Sequence, residues 1–193
     1  YRTAIVTGAS RGIGAATVRQ LCIGGLEVYA VARSADDLSD LARETGCRPL
    51  ALDVSHRDAV LSALTGLDAD VLISNASAPV RAGTSWQTAP DDIDALLEVN
   101  LKGTLNCLAA TVPGMKARGR GHVVLLGSIA AAWPIPGMPV YAMTKAALRN
   151  LGQTLRLDLH ASGVRVSEIA PGRVETGAHV ALLDDPDEGR RRF

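Results

Sequence analysis

Short runs of β-branched and apolar residues alternate along this chain with longer stretches of helical periodicity. The runs at 3–7, 28–32, 49–52, 70–74, 122–127 and 164–169 predict strands, and 12–23 and 36–44 predict helices between the first of them. Several of these strands are apolar at consecutive rather than alternate positions, which puts both of their faces against other layers. Strands of that kind separated by helix-length segments predict a parallel sheet with right-handed crossovers, a doubly wound α/β fold. One long helix is predicted over 91–115, where Ile93, Leu96, Leu97, Leu101, Leu105 and Leu108 keep helical spacing and Pro90 suits a first turn. Another runs from Tyr141 to Ala161; its Leu148, Leu151 and Leu155 fit either a core stripe or an interface between copies of the chain.

The length of 193 residues suits one contiguous core, so a single domain is expected over 1–193. Within it, 177–193 reads as a substrate-loop or tail segment, because 184–192 turns acidic and then basic without an apolar face. Lysine plus arginine and aspartate plus glutamate each number 20, leaving no net field to attract nucleic acid or an anionic membrane. The longest apolar runs fall far short of the roughly 20 residues that cross a bilayer, so no membrane partner is expected. Small-molecule chemistry is the class that remains. The three cysteines, Cys22, Cys47 and Cys107, have neither metal-site nor disulfide spacing and read as reduced thiols of a cytoplasmic protein. His56, His122, His160 and His179 show no ligand spacing either, and no metal is expected. No secretory signal opens the chain, and its start at Tyr1 implies that residues before it are absent.

The first chemical pattern is Thr7-Gly8-Ala9-Ser10-Arg11-Gly12-Ile13-Gly14, set where the first strand turns into the first helix. Gly8 permits a tight turn, Gly12 lets the backbone approach a pyrophosphate, and Gly14 lets the helix pack on the strand, while the helix N-terminus offers N–H groups to the anion. The second strand then ends Val31-Ala32-Arg33-Ser34. A carboxylate here would accept bonds from a ribose 2′-hydroxyl and repel a 2′-phosphate; the Arg33 guanidinium pairs with that phosphate, and Arg11 adds a second positive charge. The plain alternative is that both arginines are solvated residues covering a turn and a helix start. The phosphate reading predicts NADP(H) as the cofactor.

Tyr141-Ala142-Met143-Thr144-Lys145 supplies the second pattern, since residues four apart share a helix face. A phenol with an ordinary pKa of about 10 is a poor proton-transfer group at neutral pH, and a cation about 4 Å away brings it down by roughly three units. Such a pair also occurs by chance on exposed helices. Ser128, however, closes the preceding apolar strand at its carboxyl end, the edge where open α/β sheets bind ligands, and the tyrosine helix begins soon after.

With these motifs in this order, the chain resembles the short-chain dehydrogenase/reductase family from Thr3 to about Thr176. The resemblance implies a Rossmann fold and a hydride exchange between nicotinamide and a small-molecule carbonyl or secondary alcohol. It implies that Asn100, Ser128, Tyr141 and Lys145 are catalytic: Tyr141 protonates the carbonyl oxygen, Ser128 holds it, Lys145 also binds the nicotinamide ribose, and Asn100 sits at a helix kink with an ordered water. Asp53, with Val54 beside it, matches the family's adenine-contacting acid; it also suits a helix N-cap just before Ser55. The family's Asn-Asn-Ala-Gly motif stands here as Ser74-Asn75-Ala76-Ser77, which changes side-chain bonding at Ser74 and backbone freedom at Ser77. Its Pro-Gly motif stands as Pro171-Gly172-Arg173-Val174-Glu175-Thr176, expected against the nicotinamide end. Trp133 fits a substrate-pocket wall or packing within a loop that holds Pro134 and Pro136. The family pattern continues into a further helix and strand, so a C-terminal strand and helix are expected to be absent from this chain. A homodimer or homotetramer through the two long helices is implied as well. The rival function is a nucleotide-binding regulator that senses NADP(H) without turnover.

Overall fold

A computed structural model describes residues 1–79 and 86–174; Thr176 and the 177–193 segment therefore lie outside the described residues. Strands β1 (Thr3–Thr7), β2 (Glu27–Ala32), β3 (Arg48–Ala51), β4 (Val71–Ser74), β5 (Gly121–Leu126) and β6 (Val164–Ile169) form one six-stranded sheet in the order β3-β2-β1-β4-β5-β6. Every pairing is parallel. The strand order reverses at β1, which has β2 on one side and β4 on the other, and a crevice opens there beyond the carboxyl ends of the strands.

Two apolar layers explain the near-continuous hydrophobicity of the strands. Ala4, Val6, Val28, Ala30, Val71 and Ile73 face α1 (Gly12–Ile23) and α2 (Ala35–Thr45), where Val18, Leu38 and Leu41 complete the layer. Ile5, Val31, Leu72, Val123 and Leu125 point the other way, into a cluster with Val60 and Leu64 of α3 (Arg57–Leu64) and with Cys107 and Leu108 of α5 (Gly103–Ala117). Successive residues of one strand thus enter opposite cores, as the two-residue period requires. Burial pushes the Cys107 thiol up to about 12, so it behaves as a small apolar side chain.

The expected long helix is a composite. It begins as α4 (Pro90–Leu96), with Pro90 in its first turn, passes through a π-helical segment (Leu97–Lys102) and continues as α5. The second long helix, α6 (Pro139–Asp158), starts on Pro139, two residues before Tyr141. It ends sooner than the apolar pattern predicts, because Ala161 takes a left-handed conformation at φ +64° that no helix continues. Leu148 is buried, and the partly buried Leu151 and Leu155 pack against the cluster that holds Cys107 and Leu108, so the stripe contributes to the core.

Candidate active site

The glycine turn brings three chain segments within van der Waals distance. Gly8 and Gly12 have φ of +65° and +55°, the left-handed region that favours glycine. A Cβ on Gly8 would lie 2.8 Å from the Ala76 Cα, and one on Gly14 would lie 2.1 Å from the Gly8 carbonyl oxygen. The turn is therefore pinched between the loop after β4 and the start of α1. Thr7 and Asn75 hold it there. The Thr7 hydroxyl accepts from the backbone N–H groups of Asn75 and Ala76, both at 3.0 Å, and the Asn75 amide donates to the carbonyls of Thr7 (2.9 Å) and Gly8 (3.2 Å). Arg11, extended and exposed, caps α1 without a side-chain bond, which leaves the N–H groups of the first turn, beside Ile13, for an anion. A groove of about 410 Å³ joins Gly12, Ile13, Ala16 and Thr17 to Val174 from the far end of the chain.

Next along the crevice, Arg33 is exposed at the carboxyl end of β2, while Ser34 caps α2 by accepting from the Asp37 N–H at 3.3 Å. Asp53 does not serve as a helix N-cap: His56 occupies that position, and Asp53 instead makes a local turn, accepting from the N–H (2.9 Å) and hydroxyl (2.7 Å) of Ser55. Partial burial opposes its charge, yet the bonds from Ser55 and the fields of Arg33 and His56 outweigh that effect and hold its carboxyl below the usual range. Val54 turns its side chain inward: a Cβ on Gly103 would lie 2.6 Å from Val54 Cγ2. The Val54 carbonyl accepts from the Asn106 amide at 3.0 Å, a tie that no sequence signal marks.

The altered motif after β4 proves well accommodated. Ser77 is exposed and lies outside the left-handed region, so its backbone conformation is open to a residue other than glycine. Ser74 joins a relay. The Thr104 hydroxyl donates to the Asn100 carbonyl at 2.8 Å, which leaves it to accept from the Ser74 hydroxyl at 3.0 Å. Asn100, fully buried in the π-helical segment, accepts from the Ala78 N–H and donates to the Thr144 hydroxyl, each at 3.0 Å. Thr144 in turn donates to the Tyr141 carbonyl at 2.8 Å. Thr104 and Thr144 escape sequence reasoning because a threonine inside a helix has no spacing signature of its own.

Lys145 is the most informative side chain of the site. Only 3% exposed, it donates to the Leu126 carbonyl at 2.7 Å, and its ammonium lies 5.6 Å from the centroid of the half-buried Tyr141 ring. Burial pulls its pKa down to about 8. The ammonium thus remains the main form at neutral pH, held next to a phenol ring in a pocket with little water. Ser128, at the end of β5, accepts from the Ala130 N–H at 3.2 Å and so starts a short 3₁₀ turn (Ile129–Ala131). Its own hydroxyl proton stays available to donate. The Ile129 N–H donates to the Pro171 carbonyl at 3.1 Å, which lays the Pro171-Gly172 segment against that turn. Among the described residues no group of histidine, cysteine or acidic side chains is placed to hold a metal ion, and no helix is long and apolar enough to cross a membrane.

Known proteins are similar to this chain in sequence and in fold. A family model described as short chain dehydrogenase matches residues 2–187. The chain is 36% identical over 177 residues to an NADP-dependent 3-hydroxy acid dehydrogenase of Salmonella typhi, covering 88% of this chain and 71% of that protein. It is 38% identical over 181 residues to a serine 3-dehydrogenase of Agrobacterium fabrum, with 90% and 72% covered. A solved structure of the closed form of serine dehydrogenase complexed with NADP+ superposes with a TM-score of 0.92 at 32% identity, covering 98% of this chain and 80% of that one. Matching the family model over residues 2–187 and its relatives in sequence along most of its length, the chain belongs to the short-chain dehydrogenase/reductase family of oxidoreductases.

Proposed function

We propose that this protein is an NADP(H)-dependent oxidoreductase interconverting a carbonyl compound and its alcohol, with Tyr141 as the proton donor or acceptor. The observation that carries the reading is the burial of Lys145 against the Tyr141 ring. An ordinary surface pair four residues apart keeps its ammonium in water, and a buried cation with no carboxylate partner is costly unless the site uses it. The bound coenzyme supplies or takes the hydride. For that coenzyme the chain provides the glycine cradle at Gly8, Gly12 and Gly14 with Ser10, Arg11 and Ile13 in the same turn. Asp53 and the Val54 backbone lie toward the adenine end, with Arg33 and Ser34 toward a 2′-phosphate. Asn75, Ala76 and Ser77 follow β4, and Pro171, Gly172, Val174 and Thr176 serve the nicotinamide end. The relatives named for NADP and the cation at Arg33 both support the phosphorylated coenzyme.

During reduction, the Tyr141 hydroxyl gives its proton to the substrate oxygen, and the free Ser128 O–H holds that oxygen. Lys145 has two N–H donors beyond its bond to Leu126, and they serve to orient ribose hydroxyls. Asn100 acts by position, its amide joining the Ala78 loop to the Thr144 turn of α6. In this reading 1–193 is one domain, with 177–193 a substrate-loop or tail segment, in a cytoplasmic protein whose cysteines stay reduced. Exposed Leu105 on α5 and Leu157 on α6 favour a homodimer or homotetramer through those helices, an assembly that a monomeric mass at micromolar concentration would remove.

The direct test follows NADPH absorbance against a panel of ketones, aldehydes, quinones and β-ketoacyl thioesters, together with the oxo acids that correspond to the relatives' named substrates. Oxidation of NADPH by at least one carbonyl class is expected. Tight NADPH binding with none consumed would favour the non-turnover sensor.

A further inference from the structure

Between Ser128 and Tyr141 the chain runs through residues 129–140 without one charged, hydroxyl or amide side chain. This segment starts at one proposed catalytic hydroxyl and ends at the other, so it borders the space where the reacting oxygen sits. Its first turn is fixed by backbone bonds, the Ala131 N–H to Ser128 and the Trp133 N–H to Ile129, both at 3.0 Å. Trp133 therefore stands one turn beyond Ser128. Packing against Pro134 and Pro136 does not account for it, because 71% of its surface is exposed. Ile129 is 40% exposed, and its Cδ1 lies 3.9 Å from where a Cβ on Gly172 would be. Two large apolar side chains thus remain open beside the catalytic edge. A single exposed apolar residue is ordinary in a folded protein, whereas two large ones joined by a backbone bond, Trp133 N–H to the Ile129 carbonyl, on the short segment between two site residues favour a surface that a ligand covers.

Resting on the oxidoreductase reading above, we infer that the substrate carries an apolar, aromatic or extended alkyl body next to its reacting carbon, covered by Trp133 and Ile129, and no carboxylate. The indole face gives Trp133 the larger share, since a flat ring stacks an aryl group and also covers an alkyl chain. Arg173 is the nearest cation along the neighbouring Pro171-Gly172 segment, and a carboxylate-bearing substrate would be read there instead.

The test is a series of ketones assayed with NADPH: a small methyl ketone, longer alkyl homologues, an aryl methyl ketone and an anionic 3-oxo acid of matching size. Each added methylene should raise kcat/KM by about two- to fourfold until the wall is covered. The aryl ketone should exceed the 3-oxo acid by about tenfold or more, and Trp133→Ala should remove about that factor, mainly through KM, while leaving the small ketone within about twofold. Trp133→Phe should restore most of the loss. A preference for the 3-oxo acid, or equal losses on all substrates in Trp133→Ala, would overturn the inference.

A second readout needs no turnover. In Trp86→Phe the remaining tryptophan of the chain is Trp133, whose emission should shift to shorter wavelength when the aryl ketone binds the NADP+-loaded protein. That shift without NADPH oxidation would sink hydride transfer and keep the apolar site. Turnover with an emission already blue-shifted and unmoved by ketone would do the reverse.

Discussion

Tyr141→Phe should lower turnover by about a hundred- to ten-thousand-fold, the usual worth of a positioned proton donor, while coenzyme affinity changes by no more than about threefold. The substitution deletes one oxygen and keeps the ring, so the face presented to the Lys145 ammonium survives. Among the described residues no hydrogen bond of α6 depends on the phenol: Thr144 donates to the Tyr141 backbone carbonyl, not to the side chain. Lys145→Met is the informative companion. It removes the buried cation beside the Tyr141 ring, and it leaves the Leu126 carbonyl without the bond it now accepts, so coenzyme affinity and folding stability should fall along with turnover. Steady-state rates on a substrate from the panel, combined with coenzyme titration followed by fluorescence, separate the two variants. Wild-type turnover in Tyr141→Phe would mean that another group carries the proton.

Arg33→Asp should weaken NADPH binding by about a hundredfold or more and barely alter NADH binding. A charge-assisted bond between a guanidinium and a phosphate contributes about 1.5–3 kcal/mol, and a carboxylate in its place adds repulsion. Asp53 sharpens the effect. Arg33 now contributes to keeping that carboxyl ionised, and the substitution would set two acids at the same end of the crevice. Because Arg33 is exposed, the exchange should leave folding close to unchanged, which makes the ratio of the two dissociation constants a clean readout. Equal losses for both coenzymes would show that the arginine does not read the 2′-phosphate.

Much of the fold could be read before any coordinates, because buried parallel strands write themselves as unbroken apolar runs. The spans at 3–7, 12–23 and 164–169 coincide with β1, α1 and β6. Boundaries slipped where capping rather than hydrophobicity decides them, as at Ala161, whose backbone turns left-handed while the surrounding residues remain compatible with a helix. The π-helical segment at Leu97–Lys102 was illegible for a related reason: its apolar residues keep the phase of a regular helix, and only a family likeness singled out Asn100. The N-cap expected of Asp53 falls to His56 instead, and the Asp53 carboxylate bonds Ser55 rather than the first turn of α3. Lys145 illustrates the limit of spacing arguments. A tyrosine and a lysine four apart look the same on an exposed helix and in a core, and only the packing of α6 on the sheet distinguishes them.

The buried amide of Asn100 also governs how the catalytic edge comes together and comes apart. Its two hydrogen bonds reach a loop residue 22 positions earlier and a helix residue 44 positions later, so three distant parts of the chain meet at one side chain. None of the three can leave without stranding a polar group away from water, and that cost ties them into one cooperative unit. The N–H of Ala78 is sealed by this joint. Its hydrogen can exchange with solvent only when the joint opens, which makes one loop amide a clock for the lifetime of the assembled site.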